Sequence, residues 1–529
     1  MRRGIAVYGP GTPCLLPGGD LLSEDRTEGL PAGPSELGTF LRRPGPCALV
    51  IRGAPGTGKS TLALTLLASF PGRRILVTSR VGEEEVRAQY PWLPRGAPGP
   101  GGAIEVVDLS RVPERAASEA STAGPAREIG GAGSRLSEEE LPGLRWLPLP
   151  LRRVWKALSY DQPTMLAIDS WDSIVEQYVG PSVGRERDLP DREELERVLL
   201  RLLQVGSIHL VMVLEREEPN HLDFMVDAVA VTSQDLVDER LERWLRLVKV
   251  RGTPLQSPVT PFTLHEARFT PIEPVAAAAP PLPRECDPSP GARPGWIWPG
   301  NSDYAQAFGW LPLGRYSLVG LDPVAPEFMI RILNLPVGIH ALSHGSRILY
   351  VPSLSSLKGE VVAAFQHILP AEEFERRVLI LSPNPAPDRP WEVSPAYVSG
   401  MARDRTSPVP PITNLVGHFL EEGATPDKPS LGVINLASFR VLSDLMGNRL
   451  TPDTLPGLIQ AELQGKPTHF VLYGQRGDPL LESMSGLASV HLEFRNRHGR
   501  VFLRGLLPHT PNYVMEARGT RPYSLVPVV

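Results

Sequence analysis

Between two apolar runs, Cys47-Ala-Leu-Val-Ile51 and Thr61-Leu-Ala-Leu-Thr-Leu-Leu67, the chain reads Gly53-Ala54-Pro55-Gly56-Thr57-Gly58-Lys59-Ser60. Few folds accommodate that order. The pattern G-x-x-x-x-G-K-[ST] works only with a buried strand before it and a helix after it. Its glycines let backbone N–H groups turn inward around an anion, and the helix N-terminus completes the cradle. The first run suits a buried strand, and the second, from Thr61 on, suits the helix facing the phosphates. Lys59 offers a point charge to β- and γ-phosphates, and the Ser60 hydroxyl can enter a Mg²⁺ shell. The expected ligands are ATP and Mg²⁺. A chance glycine-rich turn is the competing reading. It is weakened by the strand–loop–helix context and by the scarcity of lysine, which supplies six of 54 basic residues.

At 529 residues the chain exceeds one ordinary domain, and its 42% hydrophobic content suffices for two cores. A net charge of −5 gives no bulk attraction to nucleic acid or to anionic membranes. Three widely spaced cysteines, Cys14, Cys47 and Cys286, make neither a metal pair nor a disulfide framework. No apolar run approaches membrane-spanning length, so a reducing cytoplasmic setting is expected. Residues 1–30, rich in glycine and proline, read as a loose N-terminal arm. A low-complexity insertion runs from about 94 to 143, with Ala103-Ile-Glu-Val-Val-Asp108 the only structured-looking part. Residues 273–302 are Pro/Ala-rich and suit a stiff linker. That leaves two blocks, 31–272 and 303–529.

In the first block, apolar β-type runs recur between helical patterns. Arg74–Thr78, Thr164–Ile168 and Ile208–Leu214 are the clearest strands, and Asp191–Gln204 carries leucines on one helical face. Strand alternating with helix predicts a mostly parallel α/β sheet. Met165-Leu-Ala-Ile-Asp169 is an apolar strand ending in an acid, where such a site needs a carboxylate to hold Mg²⁺ through water. An ordinary strand followed by a helix-capping Asp is the plainer reading. Farther on, Arg243-Trp-Leu-Arg-Leu-Val-Lys249-Val-Arg251-Gly252 projects Lys249 and Arg251 from one face of a strand.

These residues together resemble the RecA-like ATPases of the KaiC/GvpD type. The resemblance rests on Gly53 to Thr61, on Ile168-Asp169-Ser170 and on Lys249-Val250-Arg251-Gly252, and it covers roughly residues 30–270. Leu30–Phe40 and Thr78–Glu85 look closer to the gas-vesicle regulator GvpD branch, which points to an archaeal regulatory protein. The resemblance implies a RecA core that assembles with copies of itself. It also implies that Lys249 and Arg251 reach the γ-phosphate of a neighbouring subunit's nucleotide. One departure stands out: clock-type relatives carry two glutamates after the second strand, one polarising the attacking water, and the matching positions here are Arg80 and Val81. Glu83 or Glu84 is the nearest substitute, though acids there also suit a helix start.

The second block repeats the first. Arg315–Gly320 parallels the strand entering the loop, and Leu321-Asp-Pro-Val-Ala-Pro-Glu327 replaces the loop itself, with Pro326 at the lysine position and Glu327 at the serine position. Leu431-Gly-Val-Ile-Asn435 stands where Leu166–Asp169 stood, and Thr468–Tyr473 where Ile208–Leu214 stood. Gly53 and Asp169 lie 116 residues apart, Gly320 and Asn435 115. This predicts a degenerate RecA-like domain that lacks a working loop.

Three functions fit the sequence. The leading one is an ATP-binding, weakly hydrolysing regulator that controls a protein partner, possible transcriptional regulation included. A scaffold that holds ATP without turning it over is the second. A DNA recombination or repair ATPase is the third, and it lacks the basic loops such work needs.

Overall fold

The computed structural model describes residues 35–96, 102–109, 147, 149–156, 162–179, 191–203, 208–274, 280–353, 358–383, 391–394, 419–422, 424–445 and 451–529. The expected N-terminal arm and most of the 94–143 insertion lie outside these residues.

Apolar runs buried on both faces form the central strands of two covered sheets. The first has nine strands: β1 Cys47–Arg52, β2 Arg73–Thr78, β3 Glu105–Asp108, β4 Thr164–Asp169, β5 Ile208–Val213, β6 Ala228–Val237, β7 Arg240–Val250, β8 Val259–Thr263 and β9 Thr270–Pro271. Their order is β3-β2-β4-β5-β1-β6-β7-β8-β9, parallel from β3 to β6 and antiparallel beyond. Period-two alternation divides the strands between two cores. Ala48 and Val50 join Leu210 and Met212 on one face, whereas Leu49 and Ile51 join Val211 and Val213 on the other. The helix Lys59–Ser69 is buried on nearly every side against the second face.

A short pair, β10 Trp296–Ile297 and β11 Leu311–Pro312, precedes the second sheet. Its ten strands are β12 Arg315–Leu321, β13 Ile348–Val351, β14 Val378–Pro383, β15 Trp391–Ser394, β16 Ser430–Asn435, β17 Thr468–Gln475, β18 Val490–Arg497, β19 Arg500–Leu507, β20 Asn512–Arg518 and β21 Arg521–Pro527. They run β15-β14-β13-β16-β17-β12-β18-β19-β20-β21. Without the antiparallel edge strand β15, each strand occupies the place that its counterpart holds in the first sheet. The hairpins match too: Asp238 and Glu239 turn β6 into β7 at φ of 50° and 63°, and His498 and Gly499 turn β18 into β19 at 51° and 77°. The chain is thus two α/β domains with large, mostly parallel sheets, the arrangement of RecA-like folds.

Sheet register moves the expected loop correspondence by one residue. Ile51 pairs with Val213, and Val319 pairs with Tyr473 at the matching point. Counting on from there, Glu327 falls at Lys59 and Phe328 at Ser60, not Pro326 and Glu327. A carboxylate stands for the lysine, and an apolar ring opening the helix Phe328–Ser343 stands for the hydroxyl.

The stretch 280–302 lies on the second domain: Leu282 and Cys286 pack on its core, and Ile297, Trp298 and Asn301 are buried. The two domains meet along the β6–β7 hairpin. Arg240 donates from Nε to the Thr510 carbonyl at 2.7 Å and from a terminal nitrogen to the Gly505 carbonyl at 2.6 Å. Arg504 and Arg495 both reach Asp238, at 2.8 and 3.1 Å. Ile272 joins Phe502 and Val528 in a small shared core.

His469 gives the second domain a pH dependence. Its Nδ1 lies 2.8 Å from the Pro312 carbonyl, a pure acceptor, so Nδ1 carries the proton and Nε2 accepts from Ser317 Oγ at 2.9 Å. Burial lowers this imidazole from 6.5 to about 4. The fold holds it neutral, so the unfolded chain binds the extra proton, and stability is complete above pH 6.5 and falls as pH drops toward 4. The loss through this residue is expected to reach about 3 kcal/mol. Denaturant unfolding between pH 7 and 4 should show it, with a flatter profile in His469→Gln.

Candidate functional site

The loop between β1 and the helix Lys59–Ser69 is built on three glycines with positive φ: Gly53 at 151°, Gly56 at 78° and Gly58 at 92°. A Cβ on Gly53 would stand 2.1 Å from the Thr232 carbonyl oxygen, so β6 presses directly on the loop backbone. Gly58 is similarly close-packed by Leu264 and Phe262. Thr57 Oγ1 donates to the Ala54 carbonyl at 2.8 Å and shares a 2.7 Å contact with Thr232 Oγ1. Arg243 on β7 donates to the Gly56 carbonyl at 2.8 Å and, from Nε, to the Val529 carbonyl at 2.7 Å. The second domain's last residues therefore sit against the loop's supports, and Thr263 Oγ1 adds a 2.7 Å bond to the Pro527 carbonyl.

Lys59 is 8% exposed, and its Nζ donates to the carbonyls of Gly53 at 2.8 Å and Ala54 at 2.7 Å. Burial pulls its ammonium below the usual range, against the opposing pull of Glu215 and Asp169. Asp169 ends β4 beside it. Burial raises its carboxyl, while a hydrogen bond from Ser60 and the charge of Lys59 act the other way. A hydroxyl and a carboxylate joined in this way, with a lysine alongside, fit magnesium, which takes one or two protein oxygens and completes its octahedron with phosphate and water. No cluster of three or more His, Cys, Asp or Glu suited to a metal occurs among the described residues. Ser60 and Asp169 are the residues that would hold the ion. The inward-turned backbone of Gly53–Gly58 and Lys59 can cradle an anion at the helix N-terminus.

The other expected site residues are placed differently. Glu83 opens the helix Glu83–Gln89 and pairs with Arg87 of that helix at 2.9 Å, while Glu85 accepts from the Gly82 N–H as a cap. Lys249 Nζ donates to the carbonyls of Val226, Asp223 and Phe224 at 2.6, 3.2 and 3.3 Å, closing the carboxyl end of the helix His221–Met225. Arg251 pairs with Asp227 at 3.1 Å, with its side chain 69% exposed.

One acid near Lys59 escapes the motif reading. Glu215 lies two residues past β5, and its Oε1 accepts from Ser170 Oγ at 2.7 Å. Its Oε2 pairs with Arg80, whose Nε also donates to Ser173 Oγ at 3.2 Å. The available signal was positional: β5 lies between β1 and β4, so a residue just beyond its carboxyl end faces the same crevice as Gly53 and Asp169. In the second domain this crevice has lost its acids. Asn435 accepts from the Ser438 N–H at 2.9 Å as a helix cap, and Gln475 occupies the place of Glu215.

The chain is similar to two proteins of Halobacterium salinarum. It is 29% identical over 256 residues to Protein GvpD2, covering 47% of this chain and 46% of that protein. It is 28% identical over 246 residues to Protein GvpD1, covering 46% and 41%. The match spans less than half the length of either relative. No family model matches. No helix among the described residues is long and apolar enough to cross a membrane.

The close approach at Gly53 gives a direct test of the loop. Gly53→Ala drives a methyl into the Thr232 carbonyl and is expected to cost about 2–3 kcal/mol in denaturant unfolding. Gly56→Ala, whose nearest neighbour would be Gln234 at 4.0 Å, has only its positive φ to overcome and is expected to cost about 1 kcal/mol.

Proposed function

We propose that this chain, related over about half its length to the GvpD proteins, is an ATP-binding regulator that turns ATP over slowly. The observation that carries the reading is the convergence of Lys59, Ser60 and Asp169 at a three-glycine loop, at the mouth between β1 and β4. Nothing comparable survives at Glu327, Phe328 and Asn435. One domain of each chain holds nucleotide, and the other serves as a surface for a protein partner or for another copy of the chain. The contacts of Arg243 and Thr263 with the last residues give the second domain a direct line to the loop. Arg251, whose side chain is 69% exposed, is the cation that would meet a neighbouring copy.

In the binding step, the loop N–H groups and Lys59 take the β- and γ-phosphates. Ser60 and Asp169 would hold magnesium, which neutralises charge on the transferring group. Lys59 must leave the carbonyls of Gly53 and Ala54 for the phosphates, and its burial strengthens that electrostatic contact.

Isothermal titration with Mg-ATP tests the reading, with Lys59→Ala as the blank. Binding in the micromolar range is expected, weakened about 100-fold or more in the variant, which is about 3 kcal/mol. Ser60→Ala should lose the magnesium dependence while keeping residual binding. A wild-type chain that takes up no ATP at millimolar concentration would refute the proposal.

A further inference from the structure

A chain that cleaves ATP needs a carboxylate, or an equivalent group, to orient the attacking water, and the conventional position after β2 is filled by Arg80 and Val81. Glu83 is engaged by Arg87 on its own helix. The structure offers a different acid from a different strand. In the order β4-β5-β1, the carboxyl end of β5 lies between the metal-side acid and the loop, and Glu215 stands there. Its backbone is pinned, because the Glu215 N–H donates to Asp172 Oδ2 at 2.7 Å and Asp172 is itself held by Arg192 at 2.7 Å. Its carboxylate is the largest acidic influence on Lys59, ahead of Asp169, and it acts on Asp169 as a like charge.

The two acids are distinguished by their partners. Asp169 is tied to the Ser60 hydroxyl, the metal side of the site. Glu215 is held instead by the Ser170 hydroxyl and by Arg80, whose side chain is 60% exposed.

We propose that Glu215 orients the attacking water and accepts its proton, with Ser170 fixing the carboxylate and Arg80 covering it between turnovers. This rests on the ATP reading above. In the step, the water oxygen bonds to the γ-phosphorus as the bond to the β–γ bridging oxygen breaks. ADP leaves with that electron pair, and the water proton passes to Glu215 and then to phosphate or solvent.

The full chain is compared with Glu215→Gln, Glu215→Asp and Glu83→Gln. Titration with Mg-ATP should give E215Q an affinity within about threefold of wild type, while phosphate release falls about 100-fold or more. Nucleotide extracted after incubation with ATP should be ATP in E215Q and largely ADP in wild type, and E83Q should behave as wild type. Should E215Q fail to fold, E215D is expected to bind normally and to slow turnover about tenfold or more. Turnover within threefold of wild type in a folded E215Q or E215D overturns the assignment. So does a wild type that keeps ATP intact, which leaves ATP binding standing. A wild type that binds no ATP removes both proposals.

Discussion

The strand β1, wedged between β5 and β6, is the constraint on which the rest of the structure depends. Its ladders pair Cys47–Ile51 with His209–Val213 on one side and Leu49–Arg52 with Ala228–Val231 on the other. All six of its residues are buried, so its register cannot slip without moving one entire face into the wrong core. That register delivers Gly53 against Thr232 and packs the helix Lys59–Ser69 on one face of the sheet. The site is thus a by-product of sheet order: acids that are distant in sequence become neighbours because their strands end side by side.

How much of this could be read from the chain depends on which physical signal each part leaves. Strands buried on both faces leave unbroken apolar runs, so β1, β2, β4 and β5 are legible in the sequence, as are β12, β16 and β17 in the second domain. The loop was visible because close backbone approach demands glycine at set spacings. Asp169 was visible because it ends an apolar run. Glu215 was not, since it follows β5 by two residues and belongs to no short motif; only sheet order gives it meaning. Lys249 leaves a different kind of signal. A cation on a strand at the right spacing looks like a reaching group, yet here its amine is taken up by three carbonyls of its own domain. Sequence reveals that a lysine projects but not which oxygen it meets.

The second domain shows which features of the first recur without its glycine loop. Nine strands keep their order and both hairpin turns keep their left-handed residues, because those features are paid for by burial and pairing alone. The residues at the loop and strand ends carry no such load. Glu327, Phe328 and Asn435 stand where the first domain has Lys59, Ser60 and Asp169, and Asn435 caps a helix.

Nine shared strand positions in each domain, but a single glycine loop in the chain, fix a stoichiometry. Among the described residues, whatever ligand the loop takes has one such seat for every two α/β domains. A single chain therefore has no second equivalent seat to report to, and its saturation curve is hyperbolic. A sigmoidal equilibrium response would then arise between chains, and the steepness of the curve would set a lower bound on how many chains act together.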